Sequence, residues 1–136
     1  MSNQRTLSII KPDAVKAGNA DAINLMIEKA GLKIIKKKEI ILNKEQAQKF
    51  YEIHSDKPFY NDLCDFMTSG PIIVQMLEAN NAVELYRKVM GSTDPNEAEE
   101  NTIRKKFATS IQENAVHGSD SEENALKELS FFFSEA

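Results

Sequence analysis

The stretch RTLSIIKPDAV, residues 5–15, decides the architecture. Over residues 5–10, Thr6 and Ser8 alternate with Leu7 and Ile9, the period of two expected of a half-buried strand. Pro12 then fits the opening of a short helical turn, where its fixed φ is an advantage and its missing N–H is not needed. Lys11 stands at the hinge between strand and helix.

Outward from this start, Ala22, Ile23, Met26, Ile27 and Ala30 recur at helical spacing and stop before Gly31, a natural helix terminus. A second strand is expected over residues 33–42. Asn43 with Gln46 three places on forms a capping box, and Ala47, Phe50, Tyr51 and His54 line one face of the helix it opens. Lys57-Pro58 ends that helix, and residues 59–67 read as another. Gly70-Pro71 introduces the apolar run 72–77, a central strand. Asn80 or Asn81 caps the next helix, in which Ala82, Val83, Leu85, Tyr86, Val89 and Met90 form the buried stripe and Arg87 projects to one side before Gly91.

Residues 92–111 are polar and weakly periodic, and a loop of this length in a compact domain is usually functional or held by a partner. A short strand over residues 114–117 precedes a final helix expected to bury Ala125, Leu126, Leu129, Phe132 and Phe133. The order is βαββαβ with an extra helical pair before the third strand. This predicts an α+β fold, the ferredoxin-like sandwich of a four-stranded antiparallel sheet with helices on one face and an inserted helical pair.

A chain of 136 residues fits a single domain, 1–136, with a proper core. The one cysteine, Cys64, has no internal partner, and MSNQRTLS lacks the apolar core of a signal peptide. With no apolar stretch of membrane-spanning length, the expected location is the cytoplasm. The net charge of −4 argues against general nucleic-acid binding. Lys36, Lys37 and Lys38 form the densest basic run, which protection of an exposed strand edge explains at least as well as a polyanion site. Glu97, Glu99 and Glu100 read as solvated loop.

Chemistry concentrates in NAVHGSDS, residues 114–121, which holds one of the two histidines. A neutral imidazole is a competent nucleophile near neutral pH, so His117 could attack phosphorus directly. Gly118 would leave room for the incoming group, Ser119 and Asp120 could orient the ring, and Asp120 could also cap the final helix. The chain has no GxxxxGK[ST] loop and no protein-kinase signatures, and a hydrolase reading of Ser119 lacks a GxSxG elbow. Arg87, Arg104 and Lys11 are plausible phosphate clamps, arginine offering a fixed fork of donors.

These strings, together with TLSIIKPDAV, FYEIHSDKPFY, FMTSGPIIVQMLE and the C-terminal FF pair, resemble the nucleoside diphosphate kinase family over nearly the whole chain. The resemblance implies the same ferredoxin-like fold. It implies reversible transfer of the terminal phosphoryl group from a nucleoside triphosphate to a nucleoside diphosphate, by a ping-pong mechanism through a phosphohistidine at His117, maintaining triphosphate pools. Lys11 resembles the lysine that contacts sugar and phosphates, Asn114 the asparagine on the ribose hydroxyl, and Arg87, Thr93 and Arg104 the phosphate-binding trio. Phe59 resembles the base-stacking aromatic, Tyr51 the tyrosine beside the histidine, and Ser119 and Glu128 the supporting shell. The resemblance also implies Mg²⁺ carried mainly by nucleotide phosphates, with no all-protein metal site, and a homo-oligomer, a tetramer or hexamer built from dimers. Two departures stand out: Glu100-Asn101 replaces the family's Pro-Gly step, and Ile53 replaces an acidic residue two places after Tyr51.

Overall fold

The computed structural model describes residues 4–92, 94, 96–110 and 113–133. The order of elements is β1 (Gln4–Ile10), α1 (Pro12–Lys16), α2 (Ala20–Lys29), β2 (Lys33–Ile40), α3 (Lys44–Phe50), a 3-10 turn (Glu52–His54), α4 (Tyr60–Met67), β3 (Ile72–Ala79), α5 (Ala82–Met90), α6 (Ile103–Phe107), β4 (Val116–Gly118) and α7 (Glu122–Phe132). The four strands form one antiparallel sheet in the order β2-β3-β1-β4. This is the ferredoxin-like α+β arrangement expected, with the paired helices α3 and α4 inserted between β2 and β3.

Both faces of the sheet are buried. Ile10 and Leu77 pack with Ile23 and Ile27 of α2 and Tyr86 and Met90 of α5, and these helices hold the single-face placement expected of the fold. On the other face Leu7, Ile9, Val74 and Met76 pack with α3, α4 and α7 through Ala47, Tyr51, Cys64, Leu129 and Phe132. The inserted pair and the terminal helix make a third layer, against the face opposite α2 and α5. The half-buried reading of β1 is corrected: Thr6 and Ser8, on the side of α2 and α5, are fully buried. Ser8 meets that requirement by hydrogen bonding, its Oγ 2.7 Å from the Tyr86 hydroxyl and accepting from Gln75 Nε2 at 3.3 Å.

The Asn43–Gln46 capping box forms as read, but α3 stops at Phe50 and His54 belongs to the 3-10 turn. β2 is an edge strand, and its exposed Lys36 and Lys37 suit an edge. Lys38 has a different place: its Nζ donates to the Phe132 carbonyl at 2.5 Å and lies 5.0 Å from the Phe133 ring, a cation at the negative end of α7. In α7, Ala125, Leu129 and Phe132 share the inward face. Leu126, expected in the core, is rotated about 100° away from Ala125 on a 3.6-residue helix and is 61% exposed. The expected loop over residues 92–111 contains α6, whose Thr102 side chain accepts from the Lys105 N–H and whose Ile103 is buried.

Candidate active site

His117 lies on β4, paired with Ile9 of β1. Strand alternation turns its ring toward the α3 and α7 layer, against Phe50 at 5.6 Å and Tyr51 at 6.3 Å between ring centroids. Its Nε2 is 3.1 Å from Oε1 of Glu128 on α7, and the Ser119 hydroxyl donates to that same oxygen at 2.7 Å. Glu128 thus holds the ring, and Ser119 holds Glu128. The Tyr51 hydroxyl is buried and makes no hydrogen bond among the described residues; burial first, then the Glu128 charge, push its phenol well above the usual range.

Two neighbours of His117 differ from expectation. A Cβ on Gly118 would lie 2.6 Å from Met90 Cε and 2.7 Å from Tyr86 Cδ2. The glycine therefore serves the close approach of α5 to the opposite face of the sheet, and clearance for an incoming group is not what demands it. Ser121, with its hydroxyl accepting from the Asn124 N–H, caps α7. Asp120 instead accepts from the Asn124 side-chain amide at 2.6 Å, and its carbonyl accepts from Arg87 Nη1 at 3.2 Å.

The basic candidates are linked through Arg104, whose charge acts on Lys11 and is itself acted on by Arg87. Lys11, buried at the N-cap of α1, donates from Nζ to Asn114 Oδ1 at 2.8 Å. Burial, then the Arg104 charge, lowers its ammonium to about 8, with Asp13 acting against the shift. Arg104 on α6 is buried, donating from Nη1 to the Gly91 carbonyl and from Nη2 to the Val116 carbonyl, each at 3.0 Å. It ties the end of α5 to β4 and points charge into a cavity of about 670 Å³ lined by Arg87, Lys88, Gly91, Glu97, Glu99 and Thr102. Desolvation lowers its guanidinium, as does the nearby Arg87 charge. Phe59 stands apart at the start of α4, 46% exposed, with the His54 ring 5.7 Å away. Thr93 lies outside the described residues.

The sequence matches the nucleoside diphosphate kinase family model over residues 4–136. The chain belongs to the nucleoside diphosphate kinase family. It is 57% identical to the nucleoside diphosphate kinase of Wolbachia pipientis subsp. Culex pipiens, over 99% of this chain and 97% of that one. It is 54% identical to that of Methylobacterium radiotolerans, over 100% and 97% of the two chains. Among solved structures, the Aquifex aeolicus nucleoside diphosphate kinase superposes with a TM-score of 0.92 at 38% identity, covering 97% of this chain and 96% of that one. The Halobacterium salinarum nucleoside diphosphate kinase in complex with CDP gives 0.93 at 35% identity, covering 97% and 88%.

As a nucleoside diphosphate kinase, the chain is a phosphotransferase that moves the terminal phosphoryl group of a nucleoside triphosphate to a nucleoside diphosphate. The Glu100-Asn101 departure has a local solution: Asn101 takes φ +71°, a region that asparagine tolerates better than most side chains. Ile53 is 72% exposed and makes no polar contact that an acidic residue would. Sequence reading put Phe50 on a helix face without linking it to His117, whose ring it meets at 5.6 Å, and gave no place to Asp13, whose carboxylate accepts from the Ala115 N–H.

Proposed function

We propose that His117 is the nucleophile of this reaction and carries the phosphoryl group between two nucleotides that occupy one cleft in turn. The observation that carries this reading is the 3.1 Å contact between His117 Nε2 and Glu128. With the carboxylate as acceptor, Nε2 holds the ring proton and Nδ1 keeps a lone pair for in-line attack. In the first half-reaction Nδ1 bonds to the terminal phosphorus while the bridging P–O bond breaks and the diphosphate leaves with that electron pair. In the second, a terminal oxygen of the acceptor diphosphate attacks phosphorus, and the P–N pair returns to Nδ1.

Arg87, Arg104 and Lys11 offset charge on the moving group, with Thr93 completing the phosphate contacts. Lys11 and Asn114, already hydrogen-bonded to each other, face the sugar. Phe59 offers an exposed ring on which any base can stack. Tyr51, Ser119 and Glu128 support the histidine. Mg²⁺ enters as part of the substrate, carried by the triphosphate, where it would offset phosphate charge together with the basic side chains. We read the chain as one catalytic domain acting in the cytoplasm as a homo-oligomer, a tetramer or hexamer assembled from dimers.

Labelled ATP with Mg²⁺ and no acceptor tests the mechanism. A phosphohistidine, stable in alkali and labile in acid, should map to His117 and vanish in His117→Ala. Initial rates over a grid of donor and acceptor concentrations should give parallel double-reciprocal lines. Label on Ser119, or intersecting lines, would overturn the proposal.

A further inference from the structure

Residues 114–116 make a tight turn in which the Val116 N–H donates to the Asn114 carbonyl at 2.9 Å, with Ala115 between them at φ +74°. A bond spanning one residue about a left-handed centre is the strained form of γ-turn, and an alanine there carries a steric penalty that glycine would not. The turn joins Asn114 directly to the strand of His117. Ala115 is fully buried, so water cannot satisfy its backbone groups.

Both of those groups are held from the start of the chain. The Lys11 N–H donates to the Ala115 carbonyl at 2.8 Å, and the Ala115 N–H donates to Asp13 Oδ2 at 3.2 Å. Lys11 Nζ holds the neighbouring Asn114 side chain. Of these contacts, the one made by a side chain with no role so far is that of Asp13. Its Oδ1 is buried and makes no hydrogen bond among the described residues, a costly placement for a carboxylate unless the other oxygen does something useful.

We propose that Asp13 is a positioning residue for phosphoryl transfer, its carboxylate holding the strained turn at Ala115 that sets Asn114 and His117 relative to one another. The proposal rests on the roles given above to those two residues. Asp13 touches no nucleotide; it acts through one backbone N–H. Its charge also favours the protonated form of Lys11, a second service to the same phosphates.

The test compares the full chain with Asp13→Ala, Asp13→Asn and the double variant Asp13→Ala/Ala115→Gly, reading the single-turnover rate of His117 phosphorylation by MgATP, KM and thermal unfolding. Asp13→Ala should slow phosphorylation by about tenfold to a hundredfold, the scale of a small misplacement of reacting groups, with KM little changed. Asparagine should restore most of the rate, because its amide oxygen accepts from the same N–H. Ala115→Gly should recover part of it in the alanine background, because glycine holds the turn without the clamp. A wild-type rate in Asp13→Ala overturns the proposal. So does a loss that simply follows the fall in melting temperature and that Ala115→Gly leaves untouched. A native chain that takes no label at His117 overturns the functional reading itself, and so is distinguishable.

Discussion

Oε1 of Glu128 lies 3.1 Å from Nε2 of His117, and on the role proposed for His117 this pairing leaves Nδ1 to react. Phosphorus NMR of the phosphorylated protein should therefore place phosphate on Nδ1. Glu128→Ala should slow transfer by about 10- to 100-fold, the scale of a small misplacement of a reacting group. Phosphate on Nε2, or an unaffected rate, would show that the pairing is incidental.

Arg104 and Arg87 should separate by experiment, because one is buried in backbone contacts and the other is exposed. Arg104→Ala removes donors to the Gly91 and Val116 carbonyls and should cost about 1–3 kcal/mol of stability as well as turnover. Arg87→Ala should lower turnover with little change in denaturant midpoint. Lysine at either position should rescue only in part, since it lacks the planar fork. Equal stability of the two alanine variants would contradict the assignment.

Lys11 gives two pH dependences of opposite sign. Its ammonium titrates at about 8, and phosphate contact needs the charged form, so kcat/KM should fall as pH rises through about 8. Stability of the nucleotide-free protein should instead rise between about 8 and the ordinary 10.5, where the unfolded chain binds more protons than the folded one. Below about 8 both states are charged and the desolvation cost of burial is present in full. Lys11→Met should abolish the alkaline limb of the rate profile and remove the stability trend. A limb that survives the substitution belongs to another group.

Gly118→Ala is a packing test. Its Cβ would meet Met90 and Tyr86 at 2.6 and 2.7 Å, one contact a flexible tip and the other a ring edge in the buried core. Overpacking of this kind costs about 1–3 kcal/mol, and the melting temperature should fall accordingly. An unchanged melting temperature would mean that α5 can withdraw from the sheet freely.

What the sequence disclosed was local or periodic. The alternation of β1, the Asn43–Gln46 box and the apolar stripe of α5 all lie within a few residues of one another, and NAVHGSDS carried its resemblance in consecutive positions. α6 escaped because five residues are too few to show a helical period. Leu126 was misplaced because an apolar residue beside Ala125 looks inward until the partners of α7 are known. Burial of Thr6 and Ser8 depended on the layer of α2 and α5 over their face, and the need for Gly118 on the nearness of α5. No local pattern announces the Asp13–Ala115 bond, which joins positions 102 apart.

The Lys11–Asn114 bond spans 103 positions, and Glu128 comes later still. A polypeptide leaving the ribosome thus presents one wall of its active centre first and must wait for nearly all the remaining residues before the opposing wall exists. A nascent chain halted before α7 can pair β1 with β3 yet still lack the carboxylate that orients His117. Closing such distant contacts is entropically slow, so regained catalysis during refolding should mark the last step of assembly, after helical signals have already returned.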